Sequence, residues 1–227
     1  MQKNNKLNWT IDQLWSGCIL KSIAHAIMIV HHPLLAYENS WDNINYCIQD
    51  GEGMRGTVTF YNNYCIGAFR NEKCDRFNLN KIMSAYKFFE STSNEIIQLA
   101  QKETLQYLLL DINGDTVPVI TTAFWGKDKE LFSADSFYDF LEYGGELLET
   151  QVMDFDSAID DLIDYYEMEP KQVQLLLQIY TRKMENPNST IILSKKEIDM
   201  IGTDDLEGLE ESLISFKEMN IDWEMNP

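Results

Sequence analysis

The sequence is poor in the residues from which most catalytic and metal centres are built. It has three histidines and four cysteines in 227 residues, and no two cysteines stand as a Cys-x-x-Cys pair. His25, His31 and His32 are bunched together while Cys18, Cys47, Cys65 and Cys74 are scattered, so a zinc site has no donor set to draw on. No metal and no cofactor are expected. Long apolar runs are also missing. The longest, residues 23–30, is interrupted by His25 and is too short to span a bilayer. Residues 1–10 are polar and lack the apolar stretch of a secretion signal. These absences point to a soluble, cytoplasmic protein with reduced thiols and no membrane partner.

Basic residues are scarce in one half only. Residues 1–110 carry ten Lys/Arg and ten Asp/Glu, which cancel. Residues 111–227 carry eight against twenty-seven, and so hold the whole net charge of -19. Such an asymmetry bears on partners rather than on fold: it repels nucleic acid and anionic membrane and attracts basic proteins.

The densest part, residues 128–169, has fourteen acids and one base, Lys129. Leu131, Phe137, Phe140, Leu147 and Leu148 are interleaved with the acids, and a disordered acidic tail lacks such side chains. The stretch therefore reads as folded helix with carboxylates outward. Residues 154–168 are its clearest amphipathic helix, with Phe155, Ile159, Leu162, Ile163 and Tyr166 inward and Asp156, Asp160 and Asp164 on the opposite face. A helix that is merely solvated mixes signs to gain pairs four residues apart. This one does not, which makes Asp135, Asp139, Glu142, Glu146, Asp156, Asp160, Asp161, Asp164 and Glu167 the candidate partner-binding residues.

Apolar positions three and four apart predict a long helix from an N-cap at Thr10 to about residue 31, stopped by Pro33 and apolar nearly all round. Residues 43–70 alternate with a period of two and read as a three-stranded antiparallel meander. Its second turn is Asn62-Asn63, a pair that tolerates the positive φ of a tight hairpin. Two helices follow, the second with Thr92 and Glu95 as a capping box, and then a strand over 117–124. Beyond it lie mostly helices, one capped by Ser133 or Ser136 and one starting at Pro170. The fold class is α+β: a buried N-terminal helix packed on the meander, followed by a mainly helical acidic half. Residues 1–126 form the neutral part and 127–227 the acidic part, the two free to share one core.

Three motifs invite a chemical reading and fail it. Gly51-x-Gly53-x-x-Gly56 has dinucleotide-fingerprint spacing but joins two antiparallel strands, with no helix to meet a pyrophosphate. It is a wide hairpin loop, in which Glu52 and Arg55 offer a secondary contact. Asp154-x-Asp156 opens like a calcium loop, but the required glycine falls on Ile159 and the closing glutamate on Tyr165. Cys18 and His25 are the one nucleophile–base pair, yet Cys18 sits two turns inside a helix on its apolar face, where a thiol is inert. The leading expectation is a non-enzymatic inhibitor that masks a basic partner, such as an immunity protein or antitoxin against a nuclease toxin. The alternatives are a phage or mobile-element DNA mimic or anti-defence factor acting on a DNA-binding or defence enzyme, and a cysteine-dependent hydrolase using Cys18 and His25.

Overall fold

A computed structural model describes residues 4–79 and 83–223. In chain order these form β1 (Asn5–Thr10), α1 (Ile11–Met28), β2 (Asn39–Asp42), β3 (Asn45–Gln49), β4 (Met54–Tyr61) and β5 (Tyr64–Asn71). Then come α2 (Asn94–Lys102), β6 (Leu109–Ile112), β7 (Asp115–Pro118), β8 (Thr122–Lys127), β9 (Glu130–Ser133), α3 (Phe137–Glu142) and α4 (Glu149–Val152). The chain ends through α5 (Phe155–Tyr166), α6 (Pro170–Glu185), β10 (Ile191–Ile192), α7 (Lys195–Asp199), α8 (Leu206–Glu218) and β11 (Ile221–Asp222). The fold is α+β. It comprises two compact units, Met1–Leu14 with Asp42–Glu149, and Trp15–Trp41 with Thr150–Pro227.

The expected meander is present as β3, β4 and β5, but it is part of a larger sheet. Seven strands run in the order β1-β9-β8-β5-β4-β3-β2, and every pairing described in it is antiparallel. The extra strands escape a local reading because β5 pairs with β8, some sixty residues on, and β9 with β1, more than a hundred residues back. The strand expected over 117–124 is two strands. Pro118 ends β7, which pairs with β6 in a small hairpin, and Thr122 begins β8.

Both faces of the large sheet are covered, which is why β5 is buried almost throughout. One face carries Ile66, Ala68, Ala123 and Trp125 under Phe88, Phe89, Ile96, Leu105 and Leu108. On the other, the Phe124 ring meets Phe69 and Phe140, and Trp9 meets Phe140. Gly67 stands directly opposite Phe124 in the register, and a Cβ there would land in that ring.

Local chemistry explains most element ends. The Gln13 N–H donates to Thr10 Oγ1 at 3.1 Å, so Thr10 caps α1 as expected, although the helix stops at Met28. Ser93 rather than Thr92 precedes α2, one residue later than the capping-box spacing suggests. Ser136, not Ser133, caps α3, because Ser133 is the last residue of β9. Part of the helix expected before residue 89 lies outside the described residues; within them is a short 3-10 helix, Ala85–Phe89.

The register Tyr61↔Tyr64 makes Asn62-Asn63 a two-residue turn, and Asn62 has a φ of 53°. Asn62→Val places a β-branched residue in that left-handed region. Denaturant melts should show a loss of roughly 1 kcal/mol or more, and an unchanged midpoint would contradict the strain argument.

The second unit is built from helices around the apolar length of α1. Cys18, Ile19, Leu20, Ile23, Ala24 and Ile27 are all buried, as are Leu162 of α5, Leu175, Leu176 and Ile179 of α6, and Phe216 of α8. Ser212 of α8 donates its hydroxyl to the Ala26 carbonyl of α1 at 2.5 Å. Trp41 donates its indole N–H to Ser22 at 2.9 Å. Gly17 of α1 lies against the backbone of Gln151, where a Cβ would land on the carbonyl oxygen. A short parallel pair, β10 with β11, completes the unit.

Candidate functional site

The nine candidate acids are divided between the two units. Asp135, Asp139, Glu142 and Glu146 belong to the first unit; Asp156, Asp160, Asp161, Asp164 and Glu167 belong to the second. Asp135 is committed to the fold. Its Oδ2 receives Arg76 Nη1 at 2.8 Å and the Thr122 hydroxyl at 2.7 Å, in a half-buried network at one end of the sheet. Arg76 also lies over the Tyr143 ring, 3.6 Å from its centroid. Asp139 accepts from the Ser136 hydroxyl at 2.7 Å at the start of α3. Glu142 and Glu146 are exposed.

Helix α5 presents its acids as the amphipathic pattern requires. Ala158, Leu162 and Tyr166 are buried on one side. Asp156, Asp160, Asp164 and the helix-ending Glu167 are exposed, and among the described residues none of these four makes an ion pair. Asp154 caps the helix by accepting from the Ser157 N–H at 3.1 Å, and that bonding with Ser157 holds its carboxyl below the usual carboxylate range. It is cap chemistry and not a calcium loop.

Asp161 differs from its neighbours. It is half-buried, takes the Thr150 hydroxyl at 2.7 Å, and belongs with a cluster that sequence spacing does not reveal. Burial lowers the pKa of the Lys21 ammonium, against which Glu38 and Asp161 pull it up. Glu38 is itself buried and accepts from the Tyr165 hydroxyl at 2.6 Å, while Lys21 lies 5.4 Å from the centre of the Tyr165 ring. Lys21 feels both carboxylates, although among the described residues it makes no ion pair with either. The cluster's members come from α1, from the segment before β2 and from α5, so no local motif announces it.

Cys18 and His25 share α1 with that cluster. The Cys18 side chain is fully buried. His25 is 1% exposed, its Nδ1 faces the Tyr166 hydroxyl at 3.3 Å, and burial together with the Lys21 charge lowers its pKa to about 4. Such an imidazole stays neutral at pH 7 and is engaged with a tyrosine. The other two histidines serve carbonyls, His31 that of Ile201 at 2.9 Å and His32 that of Tyr166 at 3.0 Å. Both rings act as hydrogen-bonding struts to backbone carbonyls. Among the described residues no group of three His, Cys, Asp or Glu side chains stands where it could hold a metal ion, and no helix is long and apolar enough to cross a membrane.

The glycine-rich connection is tighter than expected. Asp50 Oδ1 accepts from the N–H groups of Glu52 at 2.7 Å and Met54 at 2.9 Å, closing the loop early. Glu52 is exposed at its tip and paired with Lys73 at 2.6 Å. Arg55 does not sit on a loop tip: it is the second residue of β4, half-buried, with Gln49 and Arg70 as its cross-strand partners.

Sequence reasoning missed a groove of about 480 Å³ in the second unit. Ile29, Val30, Pro33 and Ala36 give it an apolar side, and the α8 cap Asp205 with Glu207 and Glu211 of α8 an acidic one. The side chains facing its acids come from the segment just after α1, far away in sequence, so no local spacing reveals the groove. Compared with protein-family models, with curated proteins and with solved structures, the chain matches none.

Proposed function

We propose that this chain is a non-enzymatic, acidic protein-binding inhibitor that masks a basic partner in the cytoplasm, in the way an immunity protein or antitoxin covers a nuclease toxin. The observation that carries this reading is the outer face of α5, where Asp156, Asp160 and Asp164 are exposed and, among the described residues, unpaired. Like charges four residues apart on a helix oppose its stability, so their retention without lysine favours a surface that meets positive charge. The second unit adds a groove with an acidic wall and an apolar wall, which suits a basic side chain carried on an apolar segment. Helix α5 itself carries no lysine or arginine.

The test begins with capture of partners from the native host at low and high salt. Association is then compared for Asp156→Lys/Asp160→Lys/Asp164→Lys and for a triple reversal of exposed acids in the first unit, Asp75, Glu90 and Asp115. The α5 variant should associate at least roughly tenfold more slowly, with the difference fading as salt screens it over about 8 Å. Equal loss in both variants, or none in either, would remove α5 from the binding surface. Capture of a DNA-binding or defence enzyme rather than a toxin would turn the same surface into a DNA mimic.

A further inference from the structure

In a chain with twice as many acids as bases, a partly buried guanidinium without a carboxylate needs explaining. The sequence contains four arginines. Arg76 has Asp135 at 2.8 Å, Arg182 has Glu197 at 2.7 Å, and the almost fully buried Arg70 has Glu72 at 3.2 Å. Arg55 is the exception. Among the described residues its side chain makes no ion pair and no hydrogen bond, and its Nε, like those of Arg70 and Arg182, is buried without a hydrogen-bond partner. It also stands directly across the β4–β5 ladder from Arg70. Like charges directly opposite on adjacent strands repel, and an unsatisfied buried donor adds its desolvation cost.

The nearby carboxylates are already engaged. Glu72 is Arg70's partner, and Glu52 is held by Lys73 at 2.6 Å. The remaining bond of Arg70, Nη1 to the Leu108 carbonyl, is long at 3.4 Å. Burial and the Arg55 charge together pull the Arg70 pKa down, as expected where positive charge is under-compensated. Two guanidiniums at opposed positions of adjacent strands, with a carboxylate on Arg70 alone, present the forked donors that carboxylate and phosphate oxygens accept in pairs.

We infer that Arg55 and Arg70 form a binding site for a small oxyanion, a phosphoryl or carboxylate group, at the end of the β4–β5 ladder in the first unit. The site is independent of the acidic faces of the second unit. A bound anion supplies the missing charge between the two arginines and the missing acceptor for Arg55 Nε.

The test is thermal unfolding and calorimetric titration of the whole protein with inorganic phosphate and with acetate, each against sodium chloride at matched ionic strength. The wild type should be stabilised by at least one of the two oxyanions beyond chloride. At a hundredfold excess over Kd, the folding equilibrium gains a factor of about a hundred. Phosphate alone active identifies a phosphoryl ligand, and acetate alone a carboxylate. Arg55→Met keeps the apolar stem, should be at least as stable as wild type without anion, and should lose the response. Arg55→Lys should retain charge but bind at least roughly tenfold more weakly, since an ammonium lacks the fork. Lys87→Met, an exposed control elsewhere in the first unit, should respond as wild type does. No oxyanion response in the wild type, or an undiminished one in both Arg55 variants, would overturn the assignment.

Discussion

Gly17→Ala is expected to destabilise the second unit by about 2 kcal/mol or more, and Gly17→Val by more still. The direction makes it diagnostic. At an exposed helix interior the same change gains roughly 0.5–1 kcal/mol, because alanine is the better helix former. Gly17 is inside α1, but a Cβ there would land on the Gln151 carbonyl oxygen, and a backbone oxygen of α4 cannot swing away as a side-chain tip does. The two segments must part, which disturbs the packing of a helix whose next residue, Cys18, is fully buried. Chemical denaturation of the variant gives the answer. Stability equal to or above wild type would mean that the approach of α1 to residue 151 is looser than described.

The second large effect is a dependence on pH with a defined sign. His25 titrates near 6.5 in an unfolded chain and at about 4 when folded, because burial and the neighbouring Lys21 charge disfavour the imidazolium. The unfolded state therefore takes up the proton first. His25's contribution to stability is complete above about pH 6.5 and is lost as pH falls towards about 4. At 1.36 kcal/mol per unit the loss is on the order of 3 kcal/mol. Other groups of the chain also titrate in this window, so the measurement is a difference. The pH–stability curve of wild type is set against that of His25→Gln, which retains a donor and acceptor for Tyr166. The variant should be less steep between pH 6.5 and 4. Parallel curves would mean that His25 is protonated inside the fold.

What the sequence made legible was what repeats locally. The period of two in β3, β4 and β5, the asparagine turn, the cap at Thr10 and the two-sided pattern of α5 all rest on neighbours within a few residues. The seven-stranded sheet was not legible, because β5 meets β8 and β9 meets β1 across long intervals that leave no periodic trace. The same holds for the site chemistry. The exposure of Asp156, Asp160 and Asp164 follows from helical spacing, whereas the engagement of Asp135 by Arg76 is a contact between residues 59 apart. Arg55 was misplaced by a neighbouring signal: the glycines suggested a loop reaching to Gly56, while the Asp50 side chain ends it two residues sooner.

The division of the chain has a consequence for its synthesis. The unit containing most of α1 takes Trp15–Trp41 from early in the chain and the rest of its residues from Thr150 onward. On the ribosome the apolar length of α1 emerges roughly a hundred residues before the helices of its own unit. At about 5–20 residues per second that is a wait on the order of ten seconds. Throughout it, Ile19, Leu20, Ile23 and Ile27 lack the partners that bury them within that unit. Nascent chains arrested between residues 42 and 149 should therefore be the ones most readily held by chaperones that bind exposed apolar helix, and release should follow once Phe216 has left the tunnel.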